Sequence, residues 1–218
     1  MLLHPRPDRL LTPDRRLIAE RFARERVIGT RGTAIAPRRG DHDLNPGAAP
    51  AATALTPAAV LVPLVDRPAG ITVLLTQRTA HLHDHAGQIS FPGGRIEPDD
   101  PHPEAAALRE AAEEVGIRSD GVDLIGRLDH YVTGTGFEVV PVVGLLQPQE
   151  AYFPDPFEVA EVFEVPLSFV LDSANHRRDK HMRYGVERHF YVLPYEQRYI
   201  WGATAGMLVN LAEVLTAP

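Results

Sequence analysis

The chain contains no cysteine, and this absence excludes several kinds of site. Disulfide scaffolds, cysteine-ligated zinc sites, iron–sulfur clusters and thiol nucleophiles all require cysteine. Long apolar runs are missing as well, since no stretch approaches the roughly 18 residues that a membrane-spanning helix needs. The first residues also lack the apolar segment of a secretory signal. The sequence therefore predicts a soluble, cytoplasmic protein with no membrane partner.

Positive charge is scarce over most of the chain. Residues 1–40 carry ten arginines and four acidic residues, whereas the remainder carries 12 basic and 25 acidic residues. Binding to nucleic acid needs a basic surface, so the acidic body argues against a nucleic-acid partner. The arginine-rich arm is compatible with an anionic partner, but a solvated helix and linker is the favoured interpretation.

The length of 218 residues and the 44% hydrophobic content fit one sizeable domain with an appendage. Thr12-Pro13-Asp14 has the composition of a helix start and predicts a helix over about 14–28. The Gly-, Ala-, Pro- and Arg-rich sequence that follows predicts a linker, with partial disorder around 38–54. We therefore expect an N-terminal helix and linker over 1–54 and a compact domain over 55–218.

Mixed strand and helix patterns without strict alternation predict an α+β fold, arranged as an α/β/α layered domain. Two short apolar runs around a Pro- and Gly-containing turn predict a β-hairpin. The clearest helix starts with proline in its first turn and stops at Gly116, which is placed as a left-handed cap. The predicted elements are the hairpin strands 58–65 and 71–76, the helix 103–115, further strands at 122–132, 137–146 and 187–193, and an amphipathic helix over 203–215.

Three glutamates on the predicted helix 103–115 are candidate ligands of a divalent cation. Glu110, Glu113 and Glu114 project from one face, because positions i, i+3 and i+4 are neighbours on a helix. Like charges at this spacing repel, and the last turn of a helix favours cations over anions. A divalent cation would relieve both penalties, and carboxylate oxygens are the ligands that Mg²⁺ or Mn²⁺ prefers. Taken alone, the cluster is equally compatible with a solubilising surface helix.

The sequence preceding this helix makes the pattern more specific. Gly93-Gly94 opens a long loop, and Arg109-Glu110 followed by Glu113-Glu114 and Gly116-Ile117 stands at a fixed distance from it. The segment resembles the signature of the Nudix hydrolases, which split nucleoside diphosphates linked to another group. The spacing from Gly94 to Arg109 is fifteen positions, one longer than the usual signature, and Asp100 occupies the place of the loop glutamate.

The longer loop is similar to one branch of that family, the coenzyme A pyrophosphatases. The runs Leu74–Ala80 and Gly87–Gly94 resemble the branch as well. Two positions depart from its pattern: Thr79 stands where serine or alanine is usual, and His83 replaces an arginine. Loss of arginine at 83 removes a permanently charged phosphate ligand.

The resemblance implies a Nudix-type α/β/α sandwich with a mixed sheet. It implies metal-dependent hydrolysis of the diphosphate bond of coenzyme A or a derivative, giving adenosine 3′,5′-bisphosphate and 4′-phosphopantetheine. It also implies Mg²⁺ or Mn²⁺ as cofactor, with Arg109 holding the loop through Glu97 or Asp100. The residues implied in catalysis are Glu110, Glu113, Glu114, Glu158 and Glu161, of which the first three bind metal and the last two are candidates for general base; substrate binding falls to Arg78, His83, Gly87, Phe91, Gly93 and Gly94.

Two other functions stay open at this point. The enzyme could act on another nucleoside diphosphate derivative, such as ADP-ribose, a dinucleotide or a nucleotide sugar. The domain could also be a Nudix-shaped module that senses a nucleotide without cleaving it. In each case the expected partner is a small-molecule nucleotide, and a homodimer is possible because the apolar stripe of the N-terminal helix needs to be covered.

Overall fold

The structure is a computed structural model that describes residues 13–29, 38–46, 55–81, 86–183 and 185–217. None of the helices in these ranges combines the length and the apolar character needed to cross a membrane. The α-helices of the described ranges are α1 (Arg15–Gly29), α2 (Pro103–Val115), α3 (Leu167–Leu171) and α4 (Gly202–Thr216).

The strands of the described ranges form two sheets. A mixed sheet contains nine strands, and a separate antiparallel sheet contains three. The large sheet holds β1 (Arg38–Gly40), β2 (Thr56–Arg67), β3 (Gly70–Arg78), β4 (Ile89–Ser90), β5 (Gly93–Arg95), β6 (Val122–Arg127), β7 (His130–Val132), β8 (Phe137–Leu146) and β9 (Val159–Pro166); the small sheet holds β10 (Arg177–Arg183), β11 (Val186–Tyr195) and β12 (Arg198–Trp201).

Strand β2 is the centre of the large sheet. It runs parallel to β8 and antiparallel to β3, which in turn pairs antiparallel with β9. Strands β2 and β3 form the predicted hairpin, because the turn-rich sequence between them reverses the chain. The mixed pairing confirms the α+β class.

The two faces of the sheet are covered by different helices. Successive strand residues point to opposite faces, so Leu61 packs with α2 whereas Val62 packs with α1, α3 and α4. Ala107 and Ala111 let α2 lie close to the sheet. Helices on both faces of one sheet give the α/β/α arrangement expected from the sequence.

The bounds of α2 agree with the predicted helix 103–115. The His102 ring nitrogen accepts a hydrogen bond from the amide of Ala105, and Pro103 occupies the first turn. At the other end Gly116 has φ of 71°, a left-handed conformation that glycine adopts without strain.

Part of the predicted linker is ordered. Residues 38–40 form β1 and residues 41–44 a 3₁₀ helix, so the expectation of disorder is wrong for 38–46. The buried side chain of Asn45 explains this order, since it donates to the His189 carbonyl at 2.8 Å and accepts from the His189 amide at 2.8 Å. Residues 47–54 lie outside the described residues.

Helix α1 belongs to the same core as the sheet. Ile18 and Phe22 are buried, and Phe22 packs against Gly126 on β6, where a Cβ would lie 2.7 Å from its ring. Residues before the predicted boundary at 54/55 therefore contribute to the packing of the residues after it.

Helix α4 differs from its predicted amphipathic character. Residues 204–212 are buried without interruption, because α4 packs on α1, on α3 and on the three-stranded sheet and shares one apolar core with the large sheet. Strands β9, β10 and β12 and helix α3 were not predicted, since each is short or mixes charged and apolar residues without a clear period.

A polar network ties three strands of the large sheet together. Arg67 on β2 donates two hydrogen bonds to Glu164 on β9, at 3.1 and 2.5 Å, and the Thr72 hydroxyl of β3 donates to the same carboxylate. Burial opposes ionisation of Glu164, but the bonds from Arg67 and Thr72 outweigh it and lower its pKa. The ionised carboxylate therefore stabilises the fold.

We expect Glu164→Gln to lower the free energy of unfolding by about 1–3 kcal/mol at pH 7, because hydrogen bonds to a charged group are lost. A lowered pKa gives stability that is present above the ordinary value of 4.5 and is lost as the pH falls through the folded-state value. Urea unfolding at pH 7 and at lower pH measures the difference. The exposed Glu150→Gln is the matched control. A difference in unfolding free energy between wild type and Glu164→Gln that was as large below pH 4 as at pH 7 would contradict the assignment.

Candidate active site

The three glutamates of α2 differ sharply in burial. The side chain of Glu114 is 7% exposed and that of Glu110 is 18% exposed, whereas Glu113 is 62% exposed. The helix lays Ala107 and Ala111 on the sheet, and this orientation turns Glu114 inward. The cluster therefore has two sheltered carboxylates and one at the surface.

Two glycines bring the backbone of β5 against these carboxylates. A Cβ on Gly94 would lie 2.6 Å from the carboxylate of Glu110, and a Cβ on Gly93 would lie 2.4 Å from the Ala59 carbonyl of β2. The amide of Gly93 donates to Glu114 at 3.1 Å. A side chain on Gly94 would displace the Glu110 carboxylate, and a side chain on Gly93 would push β5 away from β2, so the glycines make the site possible.

Burial dominates the electrostatics of the two sheltered carboxylates. It raises the pKa of Glu114 to about 7, an effect that the amide of Gly93 and the charge of Arg78 oppose and the charges of Glu110 and Glu158 reinforce. Burial also raises the pKa of Glu110, although a hydrogen bond from Arg109 lowers it. Each carboxylate disfavours ionisation of the other, so a cation between them would be strongly attracted.

Arg78, at the end of β3, approaches the cluster from the sheet. Its guanidinium lies 3.7 Å from Glu114 and 3.7 Å from Glu158, and its Nε is buried without a hydrogen-bond partner. A β-bulge beside Gln77 and Arg78 changes the register with β9 at this point. The structure thus brings Arg78 and Glu158 together with the carboxylates of α2.

Arg109 holds the long loop, as expected from the sequence. It donates to Asp100 at 2.9 and 3.2 Å and to the Arg95 carbonyl at 3.2 Å. Arg109 also faces the carboxylate cluster, because it donates to Glu110 at 2.9 Å and to Glu113 at 3.4 Å. Arg109 therefore links the loop to the cluster.

Glu161 does not join the cluster. It shares a side of β9 with Phe163 and Val165, which pack in the core beneath α3 and α4. Its carboxylate is paired with Arg198 on β12. The structure therefore separates the two candidates for general base and leaves Glu158 beside the glutamates of α2.

The remaining sequence-predicted residues have varied positions. Phe91 is buried in the core with α3 and α4, so its side chain does not line the site. Gly87 forms an exposed turn with φ of 69°, and its carbonyl accepts from Gln77 at 3.4 Å. His83 lies outside the described residues.

Among the described residues, no three acidic or histidine side chains converge as a metal cluster. Glu110 and Glu114 are nevertheless hard oxygen donors whose raised pKa values reflect burial and mutual repulsion. This sheltered pair fits a divalent cation, whereas the third predicted ligand, Glu113, lies at the surface and is 62% exposed. The proposed cation site therefore consists of two carboxylates with the backbone of β5 beside them.

Apart from Glu158, sequence reasoning missed the segment 153–158, which passes the C-terminal end of α2. The amide of Asp155 donates to the carbonyl of Glu114 at 2.9 Å, and the amide of Phe153 donates to that of Val115 at 3.0 Å. The sequence feature that marks this segment is the dense mixture of aromatic residues and proline from Tyr152 to Phe157. This composition gave no periodic pattern, so the segment was not assigned.

Comparisons with known proteins agree with this geometry. The family model for the NUDIX domain matches residues 55–184. The uncharacterized Nudix hydrolase NudL of Yersinia pestis (strain Pestoides F) is 43% identical over 157 residues, which are 72% of this chain and 78% of that protein. NudL of Yersinia pseudotuberculosis serotype O:1b (strain IP 31758) matches to the same extent.

Among solved structures, the NUDIX domain of Shewanella oneidensis NrtR, crystallised with ADP-ribose, is similar with a TM-score of 0.47 and 20% identity, over 74% of this chain and 88% of that one. The family match covers more than half of this chain, and the NudL relatives cover more than two thirds of it. The chain therefore belongs to the Nudix hydrolase family and is a pyrophosphohydrolase of nucleoside diphosphate derivatives.

Proposed function

We propose that this enzyme hydrolyses the diphosphate bond of coenzyme A or a derivative, with Mg²⁺ or Mn²⁺ as cofactor. The observation that carries the site is the convergence of Glu110 and Glu114 on the backbone of Gly93 and Gly94, with Arg78 3.7 Å from Glu114. Support for coenzyme A comes from the sequence before the site, where 74–80 and 87–94 resemble the coenzyme A pyrophosphatases. The products are adenosine 3′,5′-bisphosphate and 4′-phosphopantetheine.

A diphosphate needs charge neutralisation before water can attack it. Glu110 and Glu114 would hold the divalent cation, and Glu113 would help to position it or a water molecule at the outer edge. When bound, such a cation neutralises phosphate oxygens and makes bound water more acidic. The carboxylates alone would repel the substrate, so activity should depend strictly on added metal.

Arg78 gives the site a permanent positive charge. Its distances of 3.7 Å to Glu114 and Glu158 are longer than hydrogen bonds, and its buried Nε has no hydrogen-bond partner. A phosphate oxygen would satisfy these donors, because guanidinium matches phosphate geometry. We assign Arg78 to binding and orienting the diphosphate, with His83 and Gly87 as further substrate contacts.

Glu158 is our candidate for general base. Its carboxylate is 42% exposed, so water can reach it, and Arg78 holds it beside the cluster. Water attacks one phosphorus atom, the bond from that phosphorus to the bridging oxygen breaks, and Glu158 accepts the proton of the water. Glu161 is excluded from this role in our proposal, because it pairs with Arg198 on the far side of the sheet.

Three expectations from the sequence stay as proposals beside this function. We propose a cytoplasmic location, a homodimer, and a Nudix domain that begins at residue 55. Helix α1 packs with that domain, since its Ile18 and Phe22 are buried in the core, so the proposed homodimer would use a surface other than the one these two residues form.

The substrate assignment is tested by incubating the purified chain with coenzyme A and Mn²⁺ and separating the products by anion exchange. We expect adenosine 3′,5′-bisphosphate and 4′-phosphopantetheine in equal amounts, because one bond is broken. ADP-ribose, a dinucleotide and a nucleotide sugar are assayed in parallel. Faster cleavage of any of these would assign the enzyme to that substrate, and binding without turnover under every metal would indicate a sensor.

The metal assignment is tested with Glu110→Gln and Glu114→Gln. Each should lower kcat by about 100-fold or more, since the charge stabilisation supplied by a metal amounts to several kcal/mol and 1.36 kcal/mol is a tenfold change. Calorimetric titration with Mn²⁺ should show weakened binding in both variants. Glu20→Gln, exposed on α1 on the opposite face of the sheet from α2, is the control. Retained turnover in both variants would contradict their roles as metal ligands.

The choice of general base is tested by the pair Glu158→Gln and Glu161→Gln. A general base contributes about 10²–10⁴-fold to the rate, so Glu158→Gln should lose turnover to that extent while Mn²⁺ binding persists. Glu161→Gln should keep nearly full turnover, because its carboxylate faces Arg198. The reverse order of the two variants would reassign the base to Glu161.

A further inference from the structure

Exposed aromatic side chains mark one edge of the proposed active site. Among the described residues, six large apolar side chains are exposed, and four of them lie on α1 or on the three-stranded sheet. The other two are Phe153, 74% exposed, and Phe157, 64% exposed. Both belong to the segment 153–158 that passes the end of α2. Exposure of such rings to water is unfavourable. A ligand that covered them would therefore gain binding free energy.

Phe157 is fixed in position by its backbone. Its carbonyl accepts a hydrogen bond from the buried hydroxyl of Thr79 at 2.8 Å, and the amide of Thr79 donates to the carbonyl of Glu158 at 2.9 Å. The ring of His81 meets the ring of Phe157 edge to face, with centroids 5.0 Å apart. One side of the Phe157 ring is thus supported, while most of the side chain stays open to water.

Phe157 is the chain neighbour of Glu158, which lies beside the groups that would bind the diphosphate. Phe157 precedes Glu158, and adjacent Cα atoms are about 3.8 Å apart. The carboxylate of Glu158 lies 3.7 Å from Arg78, which lies 3.7 Å from Glu114. A ligand whose phosphates contact Arg78 can therefore place its next rigid group over Phe157.

We propose that Phe157, supported by His81, is the surface on which the nucleobase of the substrate stacks. This inference rests on the proposed function, since it requires a nucleoside diphosphate at Arg78 and the glutamates of α2. A base offers a planar π face, which the flexible pantetheine arm lacks, and stacking on an aromatic ring is tolerant of base identity. Phe157 then contributes affinity for the nucleotide half of the substrate and does not discriminate among groups in the other half.

The proposal is tested by binding of two probes in the presence of Mn²⁺: ADP, which has a base, and inorganic pyrophosphate, which has none. Phe157→Ala should weaken ADP binding by roughly tenfold, the scale of a base–aromatic stack, and leave pyrophosphate binding unchanged. Phe157→Trp should restore ADP binding. Phe153→Ala is the matched control on the same segment, with ADP binding as in wild type.

Turnover separates this role from a structural one. Phe157→Ala should raise KM for coenzyme A with kcat nearly unchanged, because stacking binds the ground state and the transition state alike. Equal loss of ADP and pyrophosphate binding, an unchanged dissociation constant for ADP, or no ADP binding by the wild type would each overturn the proposal. If coenzyme A is not cleaved but the ADP difference persists, the substrate assignment fails and the stacking role stands.

Discussion

The close approach of β5 to α2 is the contact on which the site depends. Gly94 has no side chain, so the carboxylate of Glu110 can lie where a Cβ would otherwise be. The amide of Gly93 donates to Glu114 and helps to keep this carboxylate in a buried position. Without that approach the glutamates of α2 would point into water, where repulsion between them would be weak and a cation would gain little by binding.

Side chains alternate along each strand, so the candidate active site and most of the apolar core lie on different faces of one sheet. The glutamates of α2 and Arg78 lie on one side of the sheet, whereas the face beneath α3 and α4 holds most of the apolar core. Phe91 and Glu161 both turn toward this second face, away from the glutamates of α2. The bulge beside Arg78 is the local exception, because it shifts the register just where β3 and β9 reach the glutamates.

Thr79 helps to shape the edge of the candidate site. Its hydroxyl holds the Phe157 carbonyl and its backbone amide holds the Glu158 carbonyl, so this position organises the edge of the site from the end of β3. A serine could donate the same side-chain hydrogen bond to Phe157, but an alanine could not. The position of Phe157 therefore depends on the buried Thr79 side chain, whereas that of Glu158 depends on a backbone hydrogen bond.

Local features could be predicted from the amino-acid sequence. These are the hairpin, the bounds of α2, its left-handed stop at Gly116 and the shared face of the three glutamates, which all follow from neighbours a few residues apart. Three features became visible only in the folded chain: which glutamate is buried, which of Glu158 and Glu161 faces the glutamates of α2, and the order of 38–46. These outcomes depend on strand register and on partners distant in the chain, such as Arg198 and His189, and no local pattern encodes such contacts.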